Sequence, residues 1–294
     1  MNRFNVRLAD AANRMKETGA LHPKRWKNLG GSMVESINKG QAPRVLAVGP
    51  RVVGGLKRLY REKPGHGGMP GTVFEVTTMN DGTFDKVGQS SVLYALDKLG
   101  VDVVDIWGNG RGTQGKTFES MKSFVSRPLE IREHSISGED VMNFEEADSV
   151  VLACSDSRVQ VHDIYDDAVV VSNAGNILSP AAIEVIGEMV GKKVPVLMVM
   201  GHTKCGAVEA AKAEMPDPEL APILSIVKHN MERSDGRRTP EIDNAAFSAG
   251  MLRGDAFAEY HGKELQALQG KVKEAKAEVL ASFLDFSDGT VKGI

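Results

Sequence analysis

The chain has 294 residues, 41% of them apolar and 26% charged, with a formal net charge of -3 at pH 7. That balance excludes an intrinsically disordered chain and a nucleic-acid binder built on excess positive charge, so no nucleic-acid partner is expected. No run approaches the roughly 20 apolar residues of a bilayer-crossing helix, so no membrane partner is expected either.

The first 40 residues read as a basic, helical arm with no apolar stretch that could serve as a secretory signal. After it, short β-branched runs alternate with longer helical patterns, which predicts an α/β fold of mostly parallel sheets flanked by helices. Strands are predicted at 44–49, 72–78, 101–108, 149–155, 168–174 and 194–201. Helices are predicted at 87–99, 116–126, 180–191, 206–214, 219–233 and about 241–260. The glycine-rich segment 63–71 reads as a loop, and the C-terminal "LASFLDFSDGTVKGI" as a hairpin turning at Ser287-Asp288-Gly289.

The order of events occurs twice. "PRVLAVG", "TVFEVTT", "SSVLYALDKLG" and "VDVVDIWGNGRG" run parallel to "DSVVLACS", "AVVVSNA", "PAAIEVIGEMVG" and "VPVLMVMGHTKCG". In that comparison Gly108 matches Gly201, Tyr94 matches Val185 and Val48 matches Cys154. The pattern reads as a divergent duplication with its boundary in "FEEADS", 144–149. Residues 1–40 are then the arm, 41–145 a first repeat and 146–294 a second.

The chain contains two cysteines, too few for a disulfide framework, and a reducing cytoplasm is the expected setting. Cys154-Ser-Asp156-Ser-Arg158 and His202-Thr-Lys-Cys205 each fall where a predicted strand ends, which is where open α/β sheets place ligand sites. Two thiolates and an imidazole suit Zn²⁺, and three protein ligands leave a fourth position open.

"CSDSRV", "NAGN" and "GHTKCGAV" resemble the motifs of the β-class carbonic anhydrases, over about 148–233 and again in "FLDFSDGTVKGI". The resemblance implies one zinc per chain on Cys154, His202 and Cys205, an Asp156–Arg158 dyad beside it, and reversible hydration of CO₂ to bicarbonate. It also implies a site shared between two subunits, with a Gln, a Phe and a Tyr supplied from across the interface. The second half lacks these three, whereas the first half has Gln41 in "GQAP", Phe74 in "TVFEV" and Tyr94 in "SVLYAL". The first half in turn carries Val48, Asn109 and Gly112 near the ligand positions. The reading is an internal pseudo-dimer with one working site, its pocket formed by Gln41, Phe74, Tyr94 and Gly206. Whole chains are expected to pair further, as dimers of chains. The family's basic residue before "NAGN" is Ser172 here, and His162 is the nearest histidine to the dyad, at a helix start.

Two other functions stay open at this level. Hydrolysis of COS or CS₂ uses linear molecules like CO₂. "GRGTQGKT", 110–117, matches G-x-x-x-x-G-K-[ST] between a strand and a helix, where Lys116 and Thr117 would serve phosphate and Mg²⁺.

Overall fold

The structure, a computed structural model, describes residues 28–53, 55–62, 71–108, 111–136, 147–165, 167–213, 217–233, 238–256 and 262–294. The expected arm up to residue 27, most of the 63–71 loop, Asn109 and part of the 144–149 boundary lie outside the described residues.

Helix α1 (Gly31–Asn38) leads into β1 (Val45–Gly49), β2 (Val52–Val53), α2 (Leu56–Glu62) and β3 (Val73–Thr77). Next come α3 (Lys86–Leu93), a π-helical turn (Tyr94–Lys98), β4 (Val103–Gly108), α4 (Arg111–Lys122) and β5 (Glu130–Ser135). The second half has β6 (Ser149–Cys154), α5 (Val161–Ile164), β7 (Ala168–Asn173), α6 (Pro180–Gly191), β8 (Val196–His202) and α7 (Gly206–Ala211). A 3₁₀ turn (Pro218–Leu220), α8 (Ala221–Glu232), α9 (Pro240–Arg253), α10 (Gly262–Ala275), β9 (Glu278–Leu284) and β10 (Val291–Gly293) complete it.

Two sheets result, ordered β3-β1-β4-β5 and β10-β9-β8-β6-β7-β2. The four strands of the first are parallel, and β7-β6-β8-β9 repeat the same order in parallel in the second. β2 and β10 pair antiparallel at the edges, so β2 carries the first half into the sheet of the second. Both faces are covered. Along β6, Val151 and Ala153 pack into one core while Val150 and Leu152 pack into the other, as a fully buried parallel strand requires.

The ladders also fix how the halves correspond. Phe74 lies opposite Leu46 as Val169 lies opposite Val150, and Ile106 opposite Val48 as Val199 opposite Leu152. Matching Gly108 with Gly201 and Phe74 with Val169 therefore matches Val48 with Leu152. The residue in the place of Cys154 is Pro50, two positions beyond the expected Val48.

The expected strands form within a residue or two, and the C-terminal hairpin closes where Asp285 and Thr290, and Gly289 and Asp285, bond through their backbones. The expected helix 87–99 is α3 followed by the π turn, and 241–260 stops at Arg253, where Gly254 takes φ +85° and ends the helix in the left-handed conformation. β2, α2, β5 and α10 were not expected. Residues 111–117 do not make a phosphate-cradling loop: α4 starts at Arg111, and the Thr117 hydroxyl is buried, donating to the carbonyls of Gly82 and Thr113 at 2.8 and 3.0 Å. That removes the Mg²⁺ ligand the nucleotide reading needed. Among the described residues no helix is long and apolar enough to cross a membrane.

Candidate metal centre

Cys154 is the last residue of β6 and His202 the last of β8; Cys205 caps the N-terminus of α7. β6 and β8 are neighbours in the sheet, so their ends meet. Candidate ligand atoms of Cys154, His202 and Cys205 all lie within 4.8 Å of one another, and the three residues are buried. The two sulfurs are 4.0 Å apart. Tetrahedral zinc with Zn–S near 2.3 Å would set them about 3.8 Å apart.

The imidazole is oriented for a metal. Its Nδ1 is 3.0 Å from the Thr203 carbonyl, and that contact puts the proton on Nδ1. Nε2 is buried with no hydrogen-bond partner, an orphaned acceptor aimed at the sulfurs' neighbourhood. The Gly175 N–H donates to Cys154 Sγ at 3.4 Å, a contact that favours thiolate. Contact with Cys205 pulls the Cys154 thiol well below its ordinary range, and contact with Cys154 pushes Cys205 up: the sulfurs compete for one proton. A dication would hold both as thiolates. The donor set therefore fits zinc.

Asp156 folds back over its own turn. Its Oδ1 accepts from the Arg158 backbone N–H at 2.9 Å, while Arg158 Nε and Nη2 donate to Oδ1 and Oδ2 at 2.9 and 2.6 Å. Burial alone would favour the acid form, yet this fork and the positive charge of Arg158 hold Asp156 below the usual carboxylate range. Arg158 Nη2 also donates to the Lys204 carbonyl at 3.0 Å, tying the dyad to the loop that carries Cys205. Phe286 was not singled out from sequence. Its ring lies 4.6 Å from the Arg158 guanidinium, a cation–π contact, and 4.9 Å from the His202 ring, tilted at 30° to it.

Gln41, Phe74, Tyr94, Cys154, Asp156, Ala174, Gly206 and Ala207 line one small cavity, with room for little more than a water-sized molecule. Residues of the first half thus form a wall facing Cys154 and Asp156. The Gln41 Oε1 accepts from the Ser157 N–H at 3.1 Å, which leaves its amide nitrogen to donate elsewhere. Phe74 and Tyr94 rings sit 6.0 Å apart. Burial, and then the charges of Asp156 and Cys154, push the Tyr94 hydroxyl up to about 12, so it remains a donor at neutral pH. The π turn that begins at Tyr94 is the kind of helix irregularity that often marks functional positions. His162 is half-buried with Nε2 3.3 Å from Asp163, rather than a free surface residue.

Gly206 has a steric reason to lack a side chain: a Cβ there would lie 2.6 Å from the Tyr94 hydroxyl oxygen. Gly206→Ala is expected to displace Tyr94 and slow turnover without loss of zinc. Most of that cost should vanish in a Tyr94→Phe background, where the clashing oxygen is gone. Additive effects in a double-mutant cycle would contradict the contact.

The family model described as "Carbonic anhydrase" matches residues 149–291, which include all three ligands and the dyad. Through this segment, just under half of its length, the chain is similar to the carbonic anhydrases. A carbonic anhydrase of Mycolicibacterium smegmatis is 33% identical over 139 residues, 46% of this chain and 64% of that protein. Carbonic anhydrase 2 of Mycobacterium tuberculosis is 39% identical over 77 residues, 24% of this chain and 37% of that protein. The chain thus covers less than two thirds of either relative. The solved β-carbonic anhydrase CafA of Aspergillus fumigatus covers with 50% of this chain and 75% of its own, at 19% identity and a TM-score of 0.38. Gln41, Phe74 and Tyr94 lie outside the carbonic anhydrase segment and reach it only through the fold.

Proposed function

We propose that this chain is a zinc-dependent carbonic anhydrase, interconverting CO₂ and bicarbonate plus a proton at one site per chain, between two repeats of which the first has lost its metal. One observation carries the reading: the cavity that exposes Cys154 and Asp156 is walled by Gln41, Phe74 and Tyr94 of the first half. The shared strand order of the two sheets supports the duplication, with 41–145 as the metal-free repeat and 146–294 as the metal-bearing one.

Cys154, His202 and Cys205 would hold the ion. When bound, zinc supplies the Lewis acidity that makes water a nucleophile near neutral pH. Asp156, kept ionised by Arg158, accepts a hydrogen bond from the attacking water and so fixes which lone pair faces the substrate. Phe74, Ala174 and Ala207 give CO₂ an apolar surface. The Gln41 amide and the Tyr94 hydroxyl are donors that suit the charged oxygens of bicarbonate and offer little to CO₂. Pairing of whole chains in a reducing cytoplasm completes the proposal; sedimentation equilibrium giving a single-chain mass would overturn the pairing.

Stopped-flow CO₂ hydration on zinc-quantified protein tests the activity, with COS as a parallel substrate. Rates proportional to zinc content are expected. Zinc-loaded protein that leaves CO₂ at the buffer rate, or that turns over COS alone, would overturn the reading.

A further inference from the structure

Lys57 of α2 belongs to the first half, yet its amine is buried against the dyad of the second. The residue is 4% exposed, and Nζ donates to the backbone carbonyls of Asp156 at 2.8 Å and Val159 at 3.0 Å. Those two carbonyls bracket the turn that presents Asp156 and Arg158. The opposite charge that acts on it most is Glu75 on β3, 2% exposed, whose oxygens accept from the Leu56 and Lys57 backbone N–H groups at 3.0 and 3.2 Å. Gly55 makes this approach possible, since a Cβ there would lie 3.0 Å from each Glu75 oxygen and its φ is +79°. Burial pushes the Glu75 carboxyl up, and Lys57, the Leu56 and Lys57 N–H groups and Ser172 act against that.

A lysine is not buried without a reason, because desolvating an ammonium costs several kcal/mol even after relaxation. Burial accordingly pulls the Lys57 amine down, against the charges of Glu75, Asp156 and Cys154 that favour its ionised form. Packing alone would be served as well by Met or Leu. What an amine adds is two directed hydrogen bonds that fix the backbone of one short turn.

We propose that Lys57, supported by Glu75, is a positioning residue: it crosses from the first half to clamp the 156–159 turn and thereby sets the orientation of the Asp156–Arg158 dyad at the metal site. The inference rests on the carbonic anhydrase reading and makes the metal-free half necessary for turnover as well as for the shape of the pocket.

The test compares wild type, the double variant Lys57→Met with Glu75→Gln, and Glu75→Gln alone, each assayed for zinc content, the visible spectrum after Co²⁺ substitution, and kcat and KM for CO₂. The double variant preserves volume and removes both charges, so it avoids stranding one of them in the core. It is expected to bind one zinc, give an unchanged cobalt spectrum and KM, and lose about 10–100-fold in kcat, the usual cost of losing an outer-shell partner. Glu75→Gln alone leaves the amine on both carbonyls but removes its counter-charge, so it should lower stability and lose clearly less kcat than the double variant. An undiminished kcat in the double variant, or an equal loss in Glu75→Gln, overturns the clamp. Zinc-loaded wild type that fails to hydrate CO₂ would instead remove the activity on which the inference rests, a result separable from both.

Discussion

Replacing Cys154 by Ser, or His202 by Ala, is expected to leave a folded protein that neither retains zinc through dialysis nor hydrates CO₂ above the buffer rate. Each change would take one of the three proposed ligands from a site with no fourth protein donor among the described Cys, His, Asp and Glu residues. Serine is a poor substitute for thiolate, because its hydroxyl does not ionise near neutral pH. Alanine at 202 removes the buried Nε2 that has no other partner. Losing several kcal/mol of Lewis-acid stabilisation corresponds to about 10³-fold or more in rate. Cys154→Ser should be mild for the fold, since the volume change is small and Gly175 can donate to the new oxygen. Full activity with full zinc in either variant would sink the assignment of the ligands.

Asp156→Asn should behave differently. Zinc content is expected to stay near wild type while kcat falls about 10–100-fold, because in the proposed mechanism Asp156 would meet the reacting water rather than the ion. The amide keeps one oxygen for the Arg158 fork but presents N–H donors where the carboxylate offered a lone pair. The orientation it gave to the water is therefore reversed. Arg158 retains the Lys204 carbonyl and the Phe286 face, so the turn itself should survive. A variant that loses zinc and rate together would make Asp156 a ligand or a structural residue; one with unaltered turnover would leave the dyad without a role.

The legible parts of this chain are those where chemistry and sequence distance are both short. Cys154 through Arg158, and His202 through Cys205, carry their ligands and orienting groups within five residues, and each run ends a strand marked by β-branched residues. The wall residues Gln41, Phe74 and Tyr94 were readable only by joining the family resemblance, which asks for a Gln, a Phe and a Tyr, to a comparison of the two halves. The same comparison slipped by two residues at Val48, because register is fixed by pairing with β3 and β4, which local sequence does not record. Lys57 could not have been found: in "GGLKRLY" it looks like any lysine of an amphipathic helix, and its partner Asp156 is 99 residues away. β5, "EIREHS", is a sheet-edge strand with half-exposed polar residues and so lacks an apolar run. In α10 only Leu265, Leu268 and Val272 are buried, a stripe too sparse to stand out among its charges.

The central claim is one zinc per chain whose opposite wall is donated by the same chain. Diffraction from crystals of the purified protein, with data on both sides of the zinc absorption edge, tests it directly. A single anomalous peak per chain is expected, bonded to Cys154 Sγ, His202 Nε2 and Cys205 Sγ, with Gln41 and Tyr94 of that chain across the cavity. A second peak near Pro50 and Gly112, no peak at all, or a wall supplied by another copy would contradict it.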